Sequence, residues 1–285
     1  SSFSLLSGEG KSWYMVAEVN LDHSGVIKLI NRLTTDREHL LIDMESDIAQ
    51  GTKSLKKLTG MADGLQLTAD EMSVGRHYSN VLFNIMRGGI FEDQYMVSKD
   101  DFLQFVNSAN KKLASTKPVF FEELDDEIDY HELVNAAQRN GDPDLIRICL
   151  EYLPLSFSRR HGDPSRPWNR FSIRIKNDHG QRIKNYEGNW RDIFQNWEAL
   201  AFSFPGFLQS MITKFVNATT TDGYNPYRIT RDGIDWEVPD PDDPWSHIGY
   251  WGDHQIIYLL KLMEMAGRFN PEEFSALLQK NVFVY

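Results

Sequence analysis

The stretch Asn185-Tyr-Glu-Gly-Asn-Trp190-Arg191-Asp192-Ile-Phe194 carries the densest chemistry in the chain. A carboxyl group next to an indole and a guanidinium is tuned from two sides. Partial burial by Trp190 raises its pKa, and the Arg191 cation lowers it. A general acid needs the raised case. The residues alone leave the sign open, and a carboxylate at a helix start also serves as a cap. Six of the seven tryptophans (Trp168, Trp190, Trp197, Trp236, Trp245 and Trp251) fall between 168 and 251, with only Trp13 elsewhere. Core packing does not force this crowding, because the N-terminal helices use Leu, Ile and Met instead. Indole faces beside guanidinium groups and carboxylates suit sugar rings. The C–H face of the ring stacks on the indole while the charged groups bind hydroxyls. On this reading Trp168, Arg170, Trp190, Arg191, Trp236, Trp245 and Trp251 bind substrate, and Asp192 is the general acid. Asp253, in Tyr250-Trp-Gly-Asp-His254, is the second functional acid or else a helix cap. Trp190, Asp192 and Asp253 are expected to converge on one cleft, with at least one of Trp236, Trp245 and Trp251.

Other candidate groups are weaker. The segment Asp222 to Pro244 reads as a long loop with Arg228, Arg231, Asp232, Asp235, Trp236, Glu237 and Pro239-Asp-Pro-Asp-Asp-Pro244. Loops of this length inside a compact region are usually functional. Its oxygen ligands lack EF-hand spacing, so it reads as a solvated or sugar-binding loop and no metal is expected. His247 and His254, seven apart, lack the further ligands of a zinc site. They read as hydrogen-bonding residues lining a cleft. Cys149 sits in the apolar pattern LIRICLEYL and reads as a buried core thiol. One cysteine excludes an internal disulfide framework. No cofactor is expected.

Charge narrows the partners. The 285 residues carry a formal net charge of −11, which repels phosphate backbones and excludes nucleic acid as a natural partner. Neutral sugars are compatible with it. No apolar run reaches the roughly 20 residues needed to cross a bilayer. The first residues lack the basic start and apolar core of a signal peptide. The sequence therefore predicts a cytoplasmic protein without a membrane partner.

The elements that must position these residues are mostly helices. Leu21 to Ile48 has apolar residues at helical spacing, with a break at Leu33-Thr-Thr-Asp36. Ser73 to Met86 is a helix stopped by Gly88-Gly89. Lys99 to Leu113 is another, ended by Ser115-Thr-Lys-Pro118. The acidic run from Phe121 to Ala137 reads as a solvated face, with Leu133, Val134 and Ala137 turned inward. Gly141-Asp-Pro-Asp starts a helix from Leu145 to Leu153. Phe171 to Lys176 and Gln181 to Tyr186 alternate like the arms of a β-hairpin around Asn177-Asp-His-Gly180. Helices follow at Asp192–Leu200, Pro205–Ala218, His247–Met265 and Pro271–Gln279. Two domains are expected, an N-terminal helical region over 1–117 and a second over 118–285. Helix pairs separated by long loops suit a toroid or solenoid.

Gly188-Asn-Trp-Arg-Asp192 resembles the Gly-Asp-Trp-Asn-Asp stretch of the disaccharide phosphorylases that act on cellobiose and chitobiose. Arg191-Asp-Ile-Phe194 resembles the Arg-Asp-x-Phe of the amylo-α-1,6-glucosidase domain of glycogen-debranching enzymes. The wider run from Tyr186 through Asn217 to Gly223-Tyr-Asn-Pro-Tyr and Asp253 looks most like large proteins grouped with those enzymes. The likeness covers about residues 155–265. Asn189 and Arg191 depart from the phosphorylase pattern. The resemblance implies a mainly α fold, part of an (α/α)6 six-hairpin toroid with one small β-hairpin, in which Asp192 is the general acid. It implies inverting cleavage of a glycosidic bond in an oligo- or polysaccharide. Water attacks in a glycoside hydrolase, and inorganic phosphate attacks in a phosphorylase. The family's ring and second site extend beyond its acid, so the chain is expected to be a fragment, inactive alone and prone to self-association through uncovered helix faces. The alternative is a non-catalytic carbohydrate-binding or structural piece of a larger toroid.

Overall fold

The computed structural model describes residues 2–17, 21–156, 174, 176–177, 182–236, 241–242, 250–251 and 256–284, without the side chains of Arg37, Asn189, Arg191, Asp192, Tyr250 and Trp251. The chain is mainly helical. Its contacts gather into two compact units, Ser1–Leu55 and Lys56–Tyr285.

In the first unit, α1 (His23–Thr35) starts where the Asp22 carboxylate accepts the Gly25 N–H at 2.6 Å. It stops at Asp36, inside the expected break, and α2 (Arg37–Met61) resumes at once. Arg32 and Asp43 form an ion pair between these helices. No residue of α1 is buried.

The second unit begins within the last turns of α2, where Thr59 and then Ala62 are buried, and continues with α3 (Glu71–Gly88), capped by Asp70. Gly89 follows at φ 84°, a conformation that side chains disfavour, and its N–H bonds to the Ile85 carbonyl. The chain then makes an excursion from Ile90 to Ser156. These two residues form an antiparallel bridge, with N···O distances of 2.8 and 2.9 Å. The excursion contains β1 (Met96–Ser98), α4 (Lys99–Ala109), α5 (Lys111–Thr116), α6 (Pro118–Glu122), β2 (Glu127–Asp129), α7 (Tyr130–Asn140) and α8 (Pro143–Glu151). β1 and β2 pair antiparallel with Val97 opposite Ile128. Ser98, Asn110, Asp129 and Asp142 cap α4, α5, α7 and α8 through their side chains.

Three expectations change here. The helix foreseen from Lys99 to Leu113 is two helices, because the Asn110 side chain accepts the Leu113 N–H at 3.0 Å and restarts the turn. Pro118 opens α6 rather than only closing its predecessor, since its fixed φ suits a first helical position. The acidic run keeps Glu122, Glu123, Asp125, Asp126 and Glu127 exposed as foreseen, yet it also supplies β2. Packing runs unbroken past residue 117. Phe102 lies 6.2 Å from Phe121 and 5.1 Å from Tyr152, centroid to centroid.

The return segment leads through β3 (Glu187–Asn189) into α9 (Trp190–Ser203), a short 3-10 turn at Pro205–Phe207, and α10 (Leu208–Asn217). β4 (Tyr224–Asn225), β5 (Arg228–Thr230), β6 (Ile234–Asp235) and β7 (Tyr250–Trp251) follow, then α11 (Ile256–Phe269) and α12 (Pro271–Leu277). The sheets are β3–β5–β6 and β4–β7, all antiparallel. The expected single hairpin is represented by one bridge, Lys176 to Arg182, with residues 171–173, 175 and 178–181 outside the described residues. Strand content lies instead in seven short strands among the described residues. The helix expected from His247 is also corrected. Tyr250 and Trp251 are drawn into strand pairing by Asn225 and Tyr224, and α11 is assigned from Ile256. His247 and His254 lie outside the described residues.

The excursion docks on the corner between α9 and α10. Phe91 stacks on Phe207 at 4.0 Å and 19°, and Tyr95 stacks on the same ring at 5.1 Å. Tyr130 adds a contact at 4.6 Å, and its hydroxyl meets Ser210 Oγ. Each ring of this size buries roughly 150–250 Å² and dominates local packing. Helices α3 and α9, far apart in sequence, meet at Gly88. A Cβ there would lie 2.7 Å from Asn196 Cβ and 3.3 Å from its backbone carbon. The Gly88 carbonyl also accepts the Trp197 Nε1–H at 3.2 Å. Gly88→Ala is therefore expected to force the helices apart and lower stability by about 1–3 kcal/mol, read from urea unfolding. An unchanged midpoint would show that the two helices have slack at this crossing.

Candidate functional site

The candidate site is built at the junction of β3 and α9. The helix begins at Trp190, two residues before the expected start at Asp192, so Asp192 sits in its first turn. The Trp190 N–H bonds to the Tyr227 carbonyl at 3.2 Å. The Trp190 ring is fully buried between Phe194 and Phe215, at 4.9 and 4.8 Å. It therefore anchors the helix start from inside the core and offers no open face to a sugar. Among the described residues its Nε1–H has no hydrogen-bond partner, and neither has the buried Tyr186 hydroxyl. The side chains of Arg191 and Asp192 lie outside the described residues.

The sheet beside this turn holds a charged cluster. Register places Asn189 opposite Arg228 and Glu187 opposite Thr230. The Arg228 Nη1–H donates to Glu187 Oε1 at 2.5 Å, and its Nε–H donates to Asp235 Oδ2 at 2.6 Å. Burial pulls the Arg228 pKa down, but Asp235 and Glu187 outweigh it and hold the group above its usual value. The cation is committed to these two carboxylates. Glu187 escaped sequence reasoning although it lies in the quoted motif, because nothing in the local spacing ties it to a residue 41 positions away.

Aromatic surface lies on the neighbouring ribbon. Trp236 is 39% exposed and stacks on Tyr224 at 5.5 Å with rings 10° from parallel. Tyr224 pairs across the β4–β7 ribbon with Trp251, whose side chain lies outside the described residues. Asp253 follows two residues later, and it lies outside them too, as do Trp168, Arg170 and Trp245. Only residues 226–227 separate β4 from β5, so the ribbon carrying Trp251 and the sheet leading to Asp192 are continuous in the chain.

Beneath the site lies a buried polar knot. Arg231, 8% exposed, contacts Asp101 and the Lys184 carbonyl. The buried Lys214 ammonium donates to the Arg231 carbonyl at 3.2 Å and lies 5.7 and 5.9 Å from the Phe105 and Tyr186 ring centres. Burial pulls its pKa below the usual 10.5, with Glu151 and Asp232 opposing. Cys149 is buried, and its thiol is pushed well above its usual range. No group of three or more metal-ligating side chains occurs among the described residues. Among them, no helix is long and apolar enough to cross a membrane.

Residues 91–154 match the family model described as glycoside hydrolase family 149 insertion domain 1. The matched span coincides with the excursion closed by the Ile90–Ser156 bridge. The segment is thus glycoside-hydrolase-related, and the fold carries it as an insertion between α3 and α9. No curated protein matches the chain.

Lys214 yields a test of the knot. Its pKa is lowered in the folded state, so the folded protein holds this proton less tightly than the unfolded chain. Stability should rise as pH climbs through the folded value toward 10.5. Lys214→Met removes that rise and is expected to stay within about 1 kcal/mol of the parent at pH 7. Thermal unfolding across pH checks it. A loss of about 3–5 kcal/mol would instead mark Lys214 as an indispensable buried charge partner.

Proposed function

We propose that this chain acts on an oligo- or polysaccharide and carries the acid side of an inverting glycosidic-bond cleavage, with Asp192 as general acid. The observation that carries the reading is the β3–α9 junction. A strand paired with β5 runs straight into a helix whose first residue is buried, which supports a backbone held in place where Asp192 enters the helix. A proton donor gains most when its position is fixed before substrate arrives. The glycoside-hydrolase likeness of residues 91–154 supports the substrate class.

Asp192 protonates the leaving oxygen while a nucleophile attacks the opposite face of the sugar. Asp253 is the partner carboxylate in the hydrolytic version, activating water. Inorganic phosphate is the nucleophile in the phosphorolytic version, which needs a free cation. Arg191 fills that need in this reading, because Arg228 is already engaged by Glu187 and Asp235. Trp236, backed by Tyr224, is the stacking platform. Trp168, Arg170, Trp245 and Trp251 extend the surface. Trp190 supports the acid from the core. The packing of α9 against α3, α10 and α11 supports a piece of an (α/α)6 toroid.

A second reading is a non-catalytic carbohydrate-binding or structural module. Its support is that the family match falls on the inserted segment and not on residues 187–192. Asp192→Asn separates the two. In the complete natural polypeptide, turnover is expected to fall by at least roughly 10²-fold while substrate binding survives. A substrate with a good leaving group should lose less, because it needs little protonation. Equal losses on good and poor leaving groups would make Asp192 a structural residue.

A further inference from the structure

Arg231 joins parts of the chain that are 130 residues apart. We propose that it is a positioning residue that fixes the acid-bearing turn against the inserted segment, an inference that rests on the reading of Asp192 as general acid. Its Nη2–H donates to the Asp101 carbonyl at 2.8 Å and lies 3.0 Å from Asp101 Oδ1. Its Nη1–H donates to the Lys184 carbonyl at 2.8 Å. Its own backbone N–H donates to the Tyr186 carbonyl at 2.9 Å. Two alternate carbonyls just ahead of β3 are thus held by one residue. A strand gripped twice cannot slip its register, and register here decides which residue opens α9.

The other end of the contact is equally fixed. Asp101 stands in the first turn of α4, and its Oδ2 accepts the Tyr152 hydroxyl at 2.5 Å. Tyr152 follows the last helix of the inserted segment. The first helix of that segment thus meets Arg231 directly through Asp101, and the end of the last helix is tied to the same Asp101 through Tyr152. A planar guanidinium serves two acceptors in different directions, which a lysine ammonium on a thinner stem does not reproduce. Displacement of the segment would be transmitted through Arg231 to Lys184 and Tyr186, and from them to Asp192. Arg231 touches no reacting atom in this scheme.

Hydrogen exchange and leaving-group kinetics on Arg231→Met and Arg231→Lys test the proposal, with Lys261→Met, at the surface pair with Glu198, as control. Arg231→Met should speed amide exchange over residues 187–193 at least roughly tenfold while β1 and β2 stay protected. Arg231→Lys should fall between, and it remains informative if Arg231→Met does not fold. Turnover should drop roughly 10–100-fold on a poor leaving group and less on an activated one, with KM little changed. Unchanged exchange over 187–193 overturns the proposal whether or not activity is found. Faster exchange with equal kinetic losses on both substrates also overturns it, provided Asp192→Asn discriminates between them. If Asp192→Asn does not discriminate, the reading of Asp192 fails, and the exchange result alone decides whether Arg231 positions the turn.

Discussion

Two backbone hydrogen bonds between Ile90 and Ser156 close the neck of a long excursion, and the rest of the second unit depends on that closure. With the neck shut, the chain leaves α3 and returns close to where it left. Helices α3 and α9 can then pack as neighbours despite the segment between them, touching at a glycine where no side chain fits. Loop closure over so many residues is entropically costly only in a logarithmic way. Modest contacts at the neck and a good docking surface are enough to offset it.

The docking surface has an apolar half and a polar half. On the apolar side, Phe91, Tyr95 and Tyr130 surround Phe207. That cluster supplies stability through buried area but little direction, since aromatic packing tolerates small shifts. On the polar side, Arg231, Asp101 and Tyr152 form hydrogen bonds with defined geometry. Buried groups of this kind are costly when any partner is missing, so they tolerate few alternative arrangements. Apolar contacts hold the inserted segment on, while the polar knot sets where it sits. The β3–α9 junction lies at the end of this chain of constraints.

Much of the scaffold was legible in local sequence, because helix boundaries are written in neighbouring residues. Gly88-Gly89 ends α3, Asp142-Pro143 starts α8, and Asp36 falls in the predicted break. Elements made by distant pairing were not legible. β1 and β2 are three residues each and lie far apart in the chain. Tyr250 and Trp251 looked helical, because their pairing with Asn225 and Tyr224 leaves no local trace. In the candidate site, residue types alone single out the neighbourhood of Asp192 as a proposal. The part played by Trp190 was not legible, since sequence does not say whether an indole faces a ligand or the core. In the sequence Arg231 is one charge among several in a polar loop. Its meaning comes from Lys184 and Asp101, partners 47 and 130 positions away.

The central claim is that this chain helps cleave a glycosidic bond with inversion. The most direct test follows the first product by proton NMR as the complete natural polypeptide acts on a panel of α- and β-glucosides, with and without inorganic phosphate. The account predicts release of sugar whose anomeric configuration is opposite to that of the bond cleaved, as free sugar with water or as sugar phosphate with phosphate. Product of retained configuration would require two carboxyl groups about 5–5.5 Å apart and a covalent intermediate, and would contradict it. So would the absence of cleavage across the whole panel.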